Sequence, residues 1–279
     1  KGTIAQKERW VPELLTMDKV GAWAITEPNS GSDAFGSMKS TARRDGDEYV
    51  LKGTKAWITH GGVADFYTVM TRTSPDRTAG ITAFLVPGDA AGVSAAAPER
   101  KMGMRGSVTA QVILEDVRVP TSRRLGEEGS GFRIALNALD SGRLGIAACA
   151  VGLAQGALDT AVEYATARQQ FGSPIATFQG VSFTLADMAT GIAAGRALYL
   201  DAARRRDAGE AFSTQAAMAK LFCTDMAMAV TTSAVQVLGG AGYVEDYPVE
   251  RYMREAKVLQ IVEGTNEIQR LVIGRALTQ

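Results

Sequence analysis

Hydrophobic and polar positions follow two different rhythms along the chain. In the first part, short apolar or alternating runs, "EYVLKGTKAWIT" (48–59), "DFYTVMTR" (65–72), "GITAFLVP" (80–87) and "AQVILEDVRVP" (110–120), are separated by turn residues. That spacing predicts strands. Six of the eight prolines (Pro12, Pro28, Pro75, Pro87, Pro98, Pro120) fall in this part, which reads as an all-β unit over residues 20–125. After Gly131 the rhythm changes to long stretches rich in Ala, Leu, Met and charged residues, broken by Pro174 and Pro248. Helices are predicted at about 132–168, 180–207, 213–238 and 266–277. The first would be about 55 Å long at 1.5 Å per residue, so it must pack side by side with others in a bundle or across a subunit interface. Its glycines, Gly142, Gly145, Gly152 and Gly156, each cost up to about 1 kcal/mol against alanine, which predicts close approach of a helix or ligand as compensation. Residues 1–19 read as the end of a helix.

Composition adds bounds. The 279 residues, 46% hydrophobic, suffice for one large or two modest cores. Thirty Lys and Arg balance thirty Asp and Glu, so the charge argues against nucleic acid as a partner. Cys149 and Cys223 lie in Ala-rich helical stretches and read as small packed hydrophobes rather than redox groups or ligands, which fits a reducing compartment such as the cytoplasm. The longest apolar run, "IAACAVGLAQGALDTAV" from Ile146, is mostly Ala and Gly with Gln155 and Asp159 inside it, so a buried helix is expected and not a membrane span. The opening "KGTIAQKERW" shows no secretory or transit pattern, and Lys1 reads as an arbitrary starting point.

Candidate chemistry narrows by subtraction. The single histidine, His60, nearly excludes a Ser-His-Asp triad and excludes a multi-histidine metal site. "LGEEGSGF" and "LGGAGY" match neither a Walker loop nor the strand-GxGxxG-helix fingerprint. "GAWAITEPNSGSD" (21–33) and "KAWITHGG" (55–62) each set a tryptophan near threonine. They read either as strand ends whose hydroxyls satisfy turn amides or as a polar lining covered by indoles. In "QIVEGTNEIQR" (260–270) Glu263 stands between Val262 and Gly264, before a helix start that Thr265 or Asn266 would cap, with Ile268, Leu271 and Val272 on one face. It is either a solvated surface acid or a base kept in a dry pocket.

"AITEPNSGSDAFG" (24–36), "ARQQFGSPIATFQGVSFTLADM" (167–188), "QVLGGAGYVEDYPVERYMRE" (236–255) and "VEGTNEIQR" (262–270) resemble, in order, the motifs of acyl-CoA dehydrogenases, and the resemblance spans residues 1–279. It implies an α+β multidomain fold: a remnant of an N-terminal helical domain (1–19), a middle β-barrel or sandwich domain (20–125) and a C-terminal four-helix bundle (126–279). The remainder of the N-terminal domain, which closes one wall of the active site in the family, is absent from the sequence.

The resemblance also implies FAD as cofactor. Trp23, Ile25, Thr26 and Ser32 would contact the flavin and its phosphates, and Trp57 and Thr59 would flank the ring. Arg168, Phe171 and Gln179 would hold the adenine-diphosphate half together with Gln236, Gly239 and Gly240 of a neighbouring subunit, and Thr265 and Glu267 would also reach FAD. A guanidinium fork suits phosphate oxygens; Arg168 taken alone reads rather as a solvated helix-end cation, and it is the neighbouring "QFG" that turns the reading to phosphate. Ser32, Asp140, Arg143 and Gly264 would line the acyl-CoA site. The implied reaction is α,β-dehydrogenation to a trans-2-enoyl-CoA: Glu263 takes the α-proton, and the β-hydrogen leaves as hydride to flavin N5. Desolvation by Ile261, Val262 and the acyl chain would raise the basicity of Glu263. Hydrogen bonds to the thioester oxygen would stabilise the enolate.

Some members carry the base on the long helix, where this chain has Gly142 before Arg143. That leaves Glu263 as the single candidate. Val262, a smaller residue, replaces a common Tyr, which should widen the pocket beside the base and admit branched or unusual acyl groups, and His60 replaces a common Asn. The resemblance further implies a homotetramer built as a dimer of dimers, electron-transferring flavoprotein as acceptor, no membrane or nucleic-acid partner, and the cytoplasm, or the mitochondrial matrix in a eukaryote. Two alternatives stand beside this reading: an oxidase of the same fold, and a non-catalytic binding or assembly protein that kept it.

Overall fold

The computed structural model describes residues 1–278. They form two compact units, Lys1–Asn137 and the chain from Ala138 onward.

The first unit opens with helix α1 (Ile4–Leu15), capped by a reciprocal pair in which the Thr3 hydroxyl accepts from the Gln6 amide and the Gln6 side chain returns to the Thr3 amide. Strands β1 (Gly21–Ala24), β2 (Thr41–Asp45), β3 (Glu48–Thr59), β4 (Phe66–Arg72), β5 (Ile81–Pro87), β6 (Val93–Ala95), β7 (Thr109–Pro120) and β8 (Arg124–Leu125) follow. They make one sheet in the order β6-β7-β3-β2-β4-β5-β8, with β1 added parallel to β4. The four runs read as strands are β3, β4, β5 and β7. Their alternation buries Tyr49, Leu51, Tyr67, Val69, Phe84, Val86, Val112 and Leu114 in one core. Ile25, Met38, Met70 and Ile81 form a second cluster, against which Trp23, Phe35 and Phe132 pack.

The β3–β7 ladder slips between the pairs Lys55↔Val112 and Ile58↔Ala110, so two residues of β3 oppose one of β7. This bulge places Trp57 in the left-handed region (φ 59°) and turns its indole outward, 63% exposed, between buried Ala56 and Ile58.

The second unit is built on α2 (Gly131–Ala167), whose first turns belong to the first unit, with α3 (Gln179–Asp207), α4 (Ser213–Leu238), α5 (Val249–Leu259) and α6 (Asn266–Thr278). The two-residue strands β9 (Gln169–Gln170) and β10 (Ser173–Pro174) pair as a hairpin between α2 and α3. The alanine-rich faces of α2 and α4 give a tightly packed core of Ala147, Ala150, Ala154, Ala157, Ala161, Ala219, Ala227 and Ala234, filled out by Met188, Ile192 and Cys223. By length and composition α2 and the stretch Ser213–Tyr243 are apolar enough to cross a membrane, because alanine counts as apolar in a hydropathy window.

Three expectations change. Cys223 is buried, but Cys149 is exposed in this chain, since it lies on the face of α2 away from the helical core. Of the four α2 glycines expected to make a close approach, Gly142 alone does so; nothing comes near Gly145 or Gly152 within 4 Å, and Gly156 has only ordinary contact with Tyr252. Helix α5, amphipathic and rich in charge, begins inside the 236–255 motif and runs past its end, in a stretch not read as a helix.

Candidate active site

Glu263 lies in the turn between α5 and α6. Val258 O accepts from the Val262 amide (3.0 Å) and closes the last turn of α5; Gln260 O accepts from the Asn266 amide (3.0 Å) and closes the loop. Between these points the chain is left-handed at two successive residues, Glu263 (φ 56°) and Gly264 (φ 85°). For glycine this costs little, but for glutamate it is a strained state that the surroundings must impose. The Glu263 amide donates to no acceptor among the described residues.

The carboxylate reaches across to α2. A methyl group built on Gly142 would lie 2.3 Å from Glu263 Oε2, so the bare glycine backbone is the floor on which the acid rests. Arg143 follows, 4% exposed, with Nη1 on Asp140 Oδ1 at 2.7 Å and its buried Nε without a partner. Asp140 also accepts from the Ser213 hydroxyl at 3.0 Å. Burial pushes the Glu263 carboxyl above the ordinary carboxylate range, while the positive charges of Arg143 and Lys220 pull the other way.

Of the residues expected to desolvate Glu263, Val262 is half-buried but Ile261 is not. Ile261 is 54% exposed, so it is α2 at Gly142 and the helices behind the turn that cover Glu263. The buried side of α6 is likewise polar, Asn266 and Gln269, while Leu271 is exposed. Polar side chains are needed there because they bind the turn. Gln269 Nε2 donates to Gly264 O (2.8 Å) and Glu263 O (3.3 Å), and Asn266 Nδ2 donates to Thr224 Oγ1 (3.0 Å) and Asp225 Oδ1 (2.6 Å). Thr265 takes the capping role, its hydroxyl accepting from the Ile268 amide at 3.4 Å. A cavity of about 280 Å³ beside the turn is lined in part by Ile261, Thr265, Glu267 and Arg270.

In the first unit the Ala56 amide donates to Thr26 O at 2.8 Å, which ties the two Trp-Thr motifs side by side. Thr26, Ser32 and Thr59 keep at least partial access to solvent next to the outward Trp57, while Ile25 is buried beneath them. Below the motif Glu27 and Lys55 form a buried ion pair at 2.9 Å. Glu27 also accepts from the Lys39 and Ser40 amides (2.7 and 2.9 Å), and Lys55 donates to Ile25 O (3.2 Å).

In the second unit Arg168 and Gln179 are exposed at either end of the β9–β10 hairpin, and the hairpin tip presents Phe171, 95% exposed, at positive φ. Gln236, Gly239 and Gly240 are exposed at the end of α4, with open space over both glycines. A planar aromatic dinucleotide needs flat apolar faces, hydroxyl and amide donors and a guanidinium for its phosphates. The outward Trp57, the threonine and serine hydroxyls, Arg168 and the uncovered glycines are of that kind, and the donor set fits FAD.

The sequence matches two family profiles, Acyl-CoA dehydrogenase, middle domain, over residues 22–117, and Acyl-CoA dehydrogenase, C-terminal domain, over residues 129–278. The chain belongs to the acyl-CoA dehydrogenase family. It is 48% identical over 277 residues to the short-chain-specific acyl-CoA dehydrogenase of Megasphaera elsdenii, covering 99% of this chain and 72% of that relative. The solved butyryl-CoA dehydrogenase of M. elsdenii superposes with a TM-score of 0.97 at 47% identity, covering 99% of this chain and 73% of that one. An FAD-dependent dehydrogenase structure gives 0.97 at 32% identity, with 99% and 74% covered. The resemblance and the fold class expected from the motifs are therefore established. Two residues packed around the Glu263 turn escaped sequence reasoning, Lys220 and Gln269. Both sit in helices at positions that read as solvated, and nothing local in the sequence marks them.

Proposed function

We propose that this chain is the catalytic part of an acyl-CoA dehydrogenase in which Glu263 removes the α-proton of an acyl-CoA thioester. Bound FAD supplies the two-electron acceptor for the β-hydrogen, and the product is a trans-2-enoyl-CoA. The observation that carries this reading is the Glu263 carboxylate lying over Gly142, half-buried on a turn tied from behind by Lys220, Asn266 and Gln269. Removal from water makes the carboxylate a stronger base, and the Arg143–Asp140 pair keeps a cation beside it without a carboxylate-to-guanidinium bond that would quench it. The unengaged Glu263 amide is a ready donor to a thioester oxygen as negative charge develops there.

Trp23, Ile25, Thr26, Ser32, Trp57 and Thr59 would hold the ring and adjoining phosphates. Arg168, Phe171, Gln179, Gln236, Gly239, Gly240, Thr265 and Glu267 would hold the rest of FAD, some of them from a second copy. Ser32, Asp140, Arg143 and Gly264 would line the substrate site. The two M. elsdenii relatives support short acyl chains. Electron-transferring flavoprotein is the proposed acceptor, a dimer-of-dimers tetramer the proposed assembly, and the bacterial cytoplasm or the mitochondrial matrix the proposed compartment.

The test is anaerobic titration of the purified flavoprotein with acyl-CoA esters of increasing length. Bleaching of the flavin by butyryl-CoA is expected, and a preparation that binds no FAD would overturn the reading. Glu263→Gln should retain FAD and substrate binding but lose at least about 10³-fold in reduction rate.

A further inference from the structure

Lys220 is the one lysine of the second unit with no exposed surface. It projects from the N-terminal third of α4, and its Nζ donates to Gly264 O (2.9 Å), Gln260 O (3.2 Å) and Asn266 Oδ1 (2.8 Å). These acceptors bracket Glu263 in the chain, one residue after it and three on either side. No carboxylate lies within ion-pair distance of the ammonium among the described residues. A buried cation satisfied only by neutral oxygens is a costly arrangement that a merely structural position would fill more cheaply with a glutamine or an apolar residue.

We propose that Lys220 is a positioning residue for the proton-abstracting step: its ammonium ties both ends of the 260–266 turn to α4, holds Glu263 left-handed over Gly142, and presents a positive charge to its carboxylate. The inference rests on Glu263 being the base. The charged groups facing Lys220 are Asp225, Glu263 and Glu267, which favour its cation, and Arg143, which opposes it; burial outweighs them and draws the ammonium down to about 8. Those facing Glu263 are Arg143 and Lys220, with Asp140 already engaged by Arg143. Lys220 is thus the cation beside the base that no acid neutralises by contact.

The test compares Lys220→Gln and Lys220→Arg with the wild-type holoenzyme in anaerobic flavin reduction across pH, with hydrogen exchange of the 260–266 amides measured on the same proteins. In Lys220→Gln the limiting reduction rate should fall about 10- to 100-fold with KM changed by no more than about threefold, because orientation and not binding is lost. Its acid limb should move to higher pH by about half a unit or more, because a cation near the base is gone. The turn amides should exchange faster. Lys220→Arg keeps the charge, so its acid limb should stay in place. A wild-type acid limb and wild-type exchange in Lys220→Gln overturn the proposal. If Lys220→Gln does not fold, Lys220→Arg decides it: a displaced cation must speed exchange of the turn, and unchanged exchange overturns the proposal. Glu263→Gln, run in parallel, separates the two claims, since normal reduction in that variant removes the base assignment and leaves the exchange result to stand on its own.

Discussion

The two units each bury one lysine completely, and the two lysines are satisfied in opposite ways. Lys55 meets a carboxylate, Glu27, at 2.9 Å, and the pair together grips the ends of the loop from Ile25 to Ser40 through one carbonyl and two amides. Lys220 meets three neutral oxygens and grips the turn that carries Glu263. Burial draws both ammonium groups down to about 8, so both are charged at neutral pH. The lesson lies in where the charge goes. Around Lys55 it is cancelled at contact, and what remains is mechanical fixation of a loop. Around Lys220 it is left to act on its surroundings, and the surroundings include the Glu263 carboxyl, the proposed base.

If that distinction is right, the largest effect belongs to the compensated pair. Lys55→Met strands a buried carboxylate and should cost about 3–5 kcal/mol in urea unfolding, whereas Glu27→Leu/Lys55→Met together should recover most of it. A double variant as unstable as the single would show that the pair does more than cancel itself. Lys220→Met leaves only neutral acceptors unsatisfied, so a smaller loss of about 2–3 kcal/mol is expected from the same measurement.

Next comes Glu263 itself. Its folded value lies above the unfolded one, so its contribution is full below the unfolded value and is lost as pH rises through the folded one. Glu263→Gln should therefore unfold at roughly 2–4 °C higher temperature than wild type at pH 7–8 and lose that advantage near pH 4, as followed by thermal melts. Equal melting at pH 7–8 would mean the carboxylate is not held at a cost.

The last effect is a slope. Between about pH 8 and the unfolded lysine value near 10.5, a lysine neutral in the fold and charged in the unfolded chain makes stability rise with pH. Cys223, pushed up to about 12, acts in the reverse sense from about pH 9. The difference between wild type and Lys220→Met removes that term and should still rise over pH 8–10.5; a flat difference would mean Lys220 titrates normally.

Much of the architecture was legible because its signal is local. The run 48–59 is β3 to the residue, and α4 spans the predicted 213–238, since side-chain period and turn residues fix both. The placement of Glu263 was legible through its motif, but its left-handed backbone was not, because glutamate carries no preference for that region. Lys220 stayed hidden because its partners lie about 40 residues downstream, and a lysine among alanines reads as solvated. Trp57 is intermediate: its motif pointed outward to a ligand, but the bulge that turns it there depends on the pairing of β3 with β7. Helix α5 was missed for the opposite reason, a charged surface that diluted its apolar face.

Gly142 has a consequence for how such enzymes change over time. The space above its α-carbon holds the acid of Glu263, so one carboxyl occupies one vacancy that either segment could furnish. Gly142→Glu alone would force two acids into that vacancy, and losing Glu263 alone would leave it without any. Migration of the acid from the turn to the long helix therefore has to cross a crowded or an empty intermediate, and lineages should be found on one side or the other of that divide.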